Sequence, residues 1–257
     1  MFPAVFPAMA ILAAALLQSP PAQTPAVQSP ALQSPAPQTP AAPPAPQRPA
    51  LGTIVIDAAH GGTDSGARGE SGVVEKEVVA ALAHSMRREI ERQGLRVVLT
   101  RTGDGAPSFD DRATIANANP GAIFVTLHVA SSGPAGTAIA YSLPQPPAAI
   151  AGSAPKEPPP PFLIPWKDAQ VRFGGESRRL AELLQIQLAQ KFKGSPETPG
   201  RSAVRQLRLV GHPAVAVEIA SVAVEQQKQL ERMAPGLAEA LVRALEAFRQ
   251  PGEAARP

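Results

Sequence analysis

Short apolar runs alternate along this chain with longer stretches in which apolar residues recur at helical spacing. The largely apolar run Thr53–Ala58 is typical of a buried strand. Similar runs predict five more strands, at residues 95–100, 122–129, 137–142, 204–210 and 214–219. Helical spacing predicts four helices, at residues 75–93, 110–119, 176–192 and 225–248. This order predicts an α/β fold: a single domain with a largely parallel twisted sheet, flanked by helices on both faces.

Composition divides the chain into regions. Residues 1–47 contain no charged side chain, and residues 19–50 form a repetitive tract of Pro, Ala, Gln, Ser and Thr. Such a tract buries too little apolar surface to fold, so it predicts a disordered linker. The folded domain is expected at 51–249, and a flexible tail at 250–257. Inside the domain, proline density at 143–166 predicts a long surface loop, which we expect to lie near the functional site as an extended flap that limits access.

The first 18 residues predict a secretory signal. Their apolar run, residues 9–17, is shorter than the roughly 20 residues that span a bilayer, and small residues follow it. No Lys or Arg precedes the run, so a disordered leader and a lipid-facing anchor stay open as alternatives. Export to the periplasm or cell envelope, with no stable membrane span after cleavage, is the expectation.

Charge and cysteine content exclude several kinds of function. The net charge is +3 and the isoelectric point about 9.6, but with one Trp and one Tyr the chain offers little to stack on bases, so no nucleic-acid partner is expected. The absence of cysteine excludes disulfides, thiolate zinc sites and cysteine nucleophiles.

Three ionisable residues follow or end predicted strands. His60 lies just beyond the first strand, His128 near the end of the third, and Glu218 near the end of the last. Because ligands of parallel α/β sheets bind beyond the carboxyl ends of the strands, we expect these side chains at one edge. A structural, hydrogen-bonded role is the alternative for each histidine.

Helical phase adds Glu75 to this group. Residues 79, 82, 86 and 90 are apolar, which places Glu75 at the start of the buried face of its helix. Glu77 is predicted to lie on the more polar, solvent-facing side. A buried carboxylate needs a partner, and the helix dipole alone is one alternative. Two histidines and one carboxylate are a three-ligand zinc site with a fourth position for water. Glu218 would then be the base that takes the proton of that water.

The motifs IVIDAAHGGTDSGA, VEKEVVAALA, GLRVVLTR, DRATIANA, AIFVTLHVAS and PAVAVEIA, in this order, resemble those of the zinc-dependent N-acetylmuramoyl-L-alanine amidases of the amidase-3 type. The resemblance covers residues 53–248. It implies that His60, Glu75 and His128 bind zinc, that Glu218 is catalytic, and that the substrate is the peptidoglycan amide between N-acetylmuramic acid and L-alanine. A protein regulator is left unidentified.

Departures from the family pattern flank these residues. Ala58-Ala59 stands where Pro-Gly is usual, and Val129 to Ser131 follows His128 where Ala-Asn is usual. Two other functions therefore stay open: a non-catalytic peptidoglycan-binding module on the same fold, and a zinc peptidase acting on the stem peptide. Retention of Glu218 argues against a pure binder. His84 and His212 are expected in surface or loop positions, and Arg112 and Asn117 are expected to organise the turn and helix around them.

Overall fold

The protein is described here from a computed structural model. It describes residues 52–69, 72–130, 136–141, 166–221 and 227–250. Within them, one six-stranded sheet has the order β2-β1-β3-β6-β4-β5. The strands are β1 (Thr53–Ala58), β2 (Arg96–Leu99), β3 (Ile123–Ala130), β4 (Thr137–Tyr141), β5 (Gly200–Ser202) and β6 (Ala214–Ser221).

Helices cover both faces of the sheet, as predicted. They are α1 (Glu75–Glu91), α2 (Phe109–Asn117), α3 (Gly174–Lys191), α4 (Arg205–Arg208), α5 (Gln227–Glu231) and α6 (Ala234–Arg249), and a 3-10 helix at Trp166–Phe173 precedes α3. The larger apolar cluster joins α1, α3 and α6 to one face, and a smaller cluster joins α2 and α4 to the other. The fold class predicted from the sequence is confirmed.

Strand direction explains where the site lies. Strands β2, β1, β3 and β6 are mutually parallel, so their carboxyl ends meet at one edge. Strand β4 runs antiparallel to β6, and β5 runs parallel to β4. The connection from β3 to β4, residues 131–136, is too short for a crossover helix, which agrees with the antiparallel direction of β4.

The predicted strand at 204–210 is wrong. This segment contains the one-turn helix α4, and Leu207 and Val210 are buried on one side of it. Their backbone amides donate to the carbonyls of Val204 and Leu207, three residues earlier, at 3.1 Å each. The apolar positions therefore follow a spacing of three, which is the repeat of a tight helical turn and not of a strand.

The predicted closing helix 225–248 is two helices. Residues 232 and 233 separate α5 from α6. Pro235 lies in the first turn of α6, where a backbone amide has no intrahelical acceptor, so proline loses no hydrogen bond there. The predictions for residues 1–50, for nearly all of the loop 143–166 and for the tail after Gln250 fall outside the described residues. Among the described helices, none combines the length and apolar character needed to cross a bilayer.

Candidate metal centre

His60 is presented by a tightly constrained turn after β1. It has a φ of +62°, the left-handed region that residues other than glycine rarely adopt. Arg112 Nη2 donates to the His60 carbonyl at 2.8 Å, which holds this backbone in place. The next residue, Gly61, has a φ of +129°, and a Cβ there would stand 2.2 Å from the Gly105 carbonyl oxygen. Glycine is thus required for the turn that directs the imidazole toward the site.

Glu75 enters the site from the first residue of α1 and is 4 % exposed. Its Oε1 lies 3.1 Å from His60 Nε2 and 3.1 Å from His128 Nδ1. The backbone amides of Ala67 and Val129 donate to its two oxygens at 2.7 and 3.0 Å. The residues that follow on its helix face are all buried, and Glu77 is exposed, as helical phase predicts.

The same contacts set the charge of Glu75. Burial by itself would raise the pKa of this carboxyl, but hydrogen bonds from His128, His60 and the two amides outweigh burial and hold the pKa well below its usual range. The pKa of His60 is raised, chiefly by its hydrogen bond to Glu75 and against the effect of its own burial. Glu75 is therefore an anion at neutral pH, placed between two imidazole rings.

His128 completes the group from the carboxyl end of β3. The His60 and His128 rings are perpendicular, with centroids 5.3 Å apart and an interplanar angle of 88°. One ligand atom from each of His60, Glu75 and His128 lies within 4.8 Å of the others. The structure thus brings together the three residues that the sequence indicated as metal ligands.

Glu218 lies beside this group through strand pairing. In the register of β3 and β6 it is the partner of His128, so both side chains project from the same face of the sheet. Its side chain is half-buried, and burial raises its pKa; His128 and His60 oppose that shift, and Glu75 adds to it. The carboxyl therefore has a raised affinity for a proton at a position next to the proposed ligands.

Thr137 continues the same row of residues on the other side of Glu218. It is the antiparallel partner of Glu218 in the register of β4 and β6. Its hydroxyl is buried and makes no hydrogen bond in the part of the chain that the structure describes.

Asp64 orients the first histidine. Its Oδ2 lies 2.9 Å from His60 Nδ1, and the hydrogen bond to His60 lowers the pKa of the Asp64 carboxyl. A carboxylate on the far nitrogen of a histidine fixes the ring orientation and directs the other nitrogen, here Nε2, toward a metal. Asp64 is part of the sequence motif around His60, but the sequence analysis assigned it no role.

Gln206 holds the second histidine in an analogous way. Its side-chain amide lies 3.0 Å from His128 Nε2, on the ring edge opposite to Glu75. An amide presents either a donor or an acceptor by rotating about its last bond, so it can partner this nitrogen in either tautomer of the ring. The sequence analysis missed Gln206 because it placed residues 204–210 in a strand. Gln206 is 78 residues from His128 in the sequence, so no local motif links the two residues.

A buried ion pair supports the site from below. Asp57 is fully buried, pairs with Arg112 Nη1, and accepts hydrogen bonds from Thr100 at 2.5 Å and Thr126 at 2.7 Å. Arg112 also donates to the Ala58 carbonyl at 2.9 Å. This pair connects β1, β2, β3 and α2 directly beneath His60, in line with the expectation that Arg112 organises the turn and helix.

Neither of the other two histidines joins the group. The ring of His84 lies on α1, 3.0 Å from the Thr102 carbonyl oxygen. His212 lies in the loop before β6, where burial lowers its pKa. Asn117, which was expected to organise its surroundings as Arg112 does, donates to the Leu209 carbonyl at 3.0 Å and accepts from the Gly211 amide at 2.7 Å. These bonds fix the chain between α4 and β6.

The donor set fits a divalent metal. Two imidazole nitrogens and one carboxylate oxygen are the ligand types of catalytic zinc centres with three protein ligands. Gly66 provides the space around them, because a Cβ at that position would stand 2.4 Å from Glu75 Oε2 and 2.6 Å from His60 Cδ2. Such a group at the carboxyl edge of an α/β sheet fits the class of metal-dependent hydrolases.

Comparison with known proteins identifies the family within that class. Residues 54–247 match the model of the Amidase_3 family, described as N-acetylmuramoyl-L-alanine amidase. Because the match covers most of the chain, the protein belongs to this family of amidases. Membership of a cell-wall amidase family implies an extracytoplasmic location.

Individual relatives align over shorter segments. The N-acetylmuramoyl-L-alanine amidase AmiA of Salmonella typhimurium is 39% identical over 75 residues, which is 29% of this chain and 26% of AmiA. The sporulation-specific N-acetylmuramoyl-L-alanine amidase of Bacillus subtilis is 38% identical over 85 residues, 32% of this chain and 33% of that protein. The chain thus aligns with about a quarter to a third of the length of these curated relatives.

Solved structures share the fold across the domain. The CwlD amidase of Clostridioides difficile, solved in complex with the GerS lipoprotein, superposes with a TM-score of 0.56 at 21% identity, covering 76% of this chain and 97% of its own. The amidase AmiC2 of Nostoc punctiforme gives 0.55 at 24% identity, covering 77% and 97%. At this level of identity the likeness shows the fold alone.

Proposed function

We propose that this chain hydrolyses the amide bond between N-acetylmuramic acid and L-alanine in peptidoglycan. In this proposal zinc is held by His60, Glu75 and His128, and Glu218 transfers the proton. The observation that carries it is the convergence of the three donor atoms within 4.8 Å beside a half-buried carboxyl group, in a chain of the amidase family.

His60 Nε2, Glu75 Oε1 and His128 Nδ1 are the atoms that would hold zinc, because they are the ones that face each other. Zinc, when bound, supplies Lewis acidity to a water and to the scissile carbonyl. The three ligand residues contribute one negative charge, from Glu75, and Asp64 and Gln206 fix the two rings. A ligand set with a single anionic residue leaves positive charge at the centre, which favours attack by water on a neutral amide.

Glu218 would move the proton in both halves of the reaction. As a carboxylate it accepts a proton from the attacking water, and as a carboxylic acid it donates that proton to the alanine nitrogen as the carbon–nitrogen bond breaks. The raised pKa that burial gives this group brings it closer to neutral pH, where one residue serves as base and then as acid. Its strand position beside His128 places it next to the proposed ligands.

The proposed setting is the periplasm or cell envelope. Residues 1–18 would direct export, and residues 19–50 would separate the domain from the signal or the membrane. The substrate would be the peptidoglycan that lies in this compartment.

Digestion of purified peptidoglycan tests the proposed reaction. New amino termini at L-alanine with intact glycan strands would support the amidase. New termini elsewhere in the stem peptide would identify a zinc peptidase. Binding to peptidoglycan without any new termini would identify a non-catalytic binding module. Either of the last two results would overturn the proposal.

Metal content tests the proposed ligands independently of activity. We expect about one zinc per protein after purification without added metal, and almost none in the double variant His60→Ala, His128→Ala, because one carboxylate cannot hold the ion alone. Elemental analysis of both proteins measures this, and His84→Ala serves as the control since its ring bonds a carbonyl outside the centre. Undiminished metal in the double variant would contradict the assignment.

A further inference from the structure

A surface groove of about 330 Å³ opens between the start of α2 and the helix α4. We call it the arginine groove. It adjoins the candidate metal centre, because Gln206, which contacts His128, lies on α4 next to the first of the groove's two arginines. The residues that line the groove are Ser108, Phe109, Asp110, Arg205, Arg208 and Leu209.

Arg205 is held in place by an aromatic ring. Its guanidinium carbon lies over the Phe109 ring, 4.5 Å from the centroid. Stacking covers one face of the guanidinium plane and leaves the edge with its N–H donors open. In the part of the chain that the structure describes, Arg205 makes no hydrogen bond or ion pair, so these donors meet solvent. A stacked, pre-oriented guanidinium binds a carboxylate with little loss of side-chain freedom.

The balance of charge in the groove is positive. Arg208 lies three residues after Arg205 on the same face of α4, and both side chains are exposed. With Asp110 as the only carboxylate among the lining residues, the formal charge of the lining is positive, and Arg205 is the arginine on which the proposal depends. Phe109 and Leu209 provide the apolar part of the lining. This combination suits a peptide that carries a carboxylate beside aliphatic carbon.

We propose that the arginine groove binds a free carboxylate of the peptidoglycan stem peptide, with Arg205 as the principal contact. This inference rests on the proposed function, which places the alanine amide at the metal centre. Each extended peptide unit advances about 3.5 Å, so the carboxylate of the second stem residue lies roughly 7–10 Å from the scissile bond. Gln206, the residue next to Arg205 on α4, contacts His128, so a peptide that extends from the metal centre along α4 would reach the groove beyond its first residue.

The test measures binding of two synthetic tripeptides that differ in one group. One is L-Ala-γ-D-Glu-L-Lys with a free α-carboxylate on its D-glutamyl residue, and the other carries an amide there. We expect the protein to bind the free acid about tenfold more tightly by calorimetry, the scale of a charge-assisted hydrogen bond. We expect Arg205→Gln to remove this preference without weakening binding of the amidated peptide, and higher salt to reduce the preference in the parent.

Arg178→Gln is the matched control. Arg178 is an exposed arginine on α3, which covers the opposite face of the sheet, so this variant removes the same charge from a distant surface. Equal affinity of the parent for the two peptides, or a preference retained in Arg205→Gln, would overturn the assignment. So would loss of the preference in Arg178→Gln, since the effect would then come from net charge alone. The protein could also show a preference that depends on Arg205 and yet release no L-alanine termini from peptidoglycan. That result would support the carboxylate site in the groove and contradict the proposed reaction.

Discussion

Replacing Glu218 with glutamine should lower the rate of peptidoglycan hydrolysis by at least about a hundredfold while the domain stays folded. Glutamine keeps the shape of the side chain but cannot take a proton from water or return one to the leaving amine. The raised affinity of Glu218 for a proton, which burial produces, is lost with the carboxyl group. The appearance of new L-alanine amino termini over time, measured at several protein concentrations, gives the rate.

Two measurements separate loss of chemistry from loss of structure. Zinc content should be near that of the parent, because Glu218 is not among the three converging donors. Glu182→Gln, an exposed carboxylate on α3, should hydrolyse peptidoglycan at the parental rate. Parental activity in Glu218→Gln would show that another group moves the proton.

The second large effect is expected for Asp57→Asn, which should lower the free energy of unfolding by about 3 kcal/mol. Asp57 is fully buried, and the substitution leaves the Arg112 guanidinium, 4 % exposed, without its counter-ion. In the parent, the hydroxyls of Thr100 and Thr126 donate to the Asp57 carboxylate, and the substitution places an amide NH₂, which cannot accept, beside one of them. Unfolding in urea, followed by circular dichroism on metal-free protein, measures the change.

Two further variants make this result specific. Glu91→Gln breaks an exposed pair with Arg87 and should cost less than about 1 kcal/mol. The double variant Asp57→Asn, Arg112→Met should lose less stability than the sum of its two single variants, because the unpaired charge is gone. A cost for Asp57→Asn no larger than that of Glu91→Gln would contradict a stabilising role for the pair.

The parts of the fold that were predictable have a strong periodic signal of their own. The strand β1 was placed correctly because the short apolar run at residues 54–56 is typical of a strand buried on both faces, even though Asp57 follows it. The buried position of Glu75 followed from four apolar residues on the same helical face. The approach of His60, His128 and Glu218 followed from the rule that parallel strands share a carboxyl edge.

The rest depends on contacts that no local pattern encodes. Strand β5 has three residues, Gly200–Ser202, and lacks an apolar alternation, so only its pairing with β4 makes it a strand. The single turn α4 is too short for a period to be measured, and its assignment as a strand concealed Gln206 and Arg205. The antiparallel direction of β4 follows from the length of a connection and not from its own residues.

Strand β6 pairs with β3 but is the last strand in the chain, and this affects the order in which the residues of the site are synthesised. The three proposed metal ligands lie within residues 60–128, just after β1 and on α1 and β3, whereas Glu218 lies on the last strand to emerge. The three strands β2, β1 and β3 are adjacent in the sheet without β6, which inserts between β3 and β4. The proposed metal ligands therefore emerge during synthesis before the proton-transfer group does. A chain that has emerged only as far as β3 would carry all three proposed ligands and no hydrolytic base.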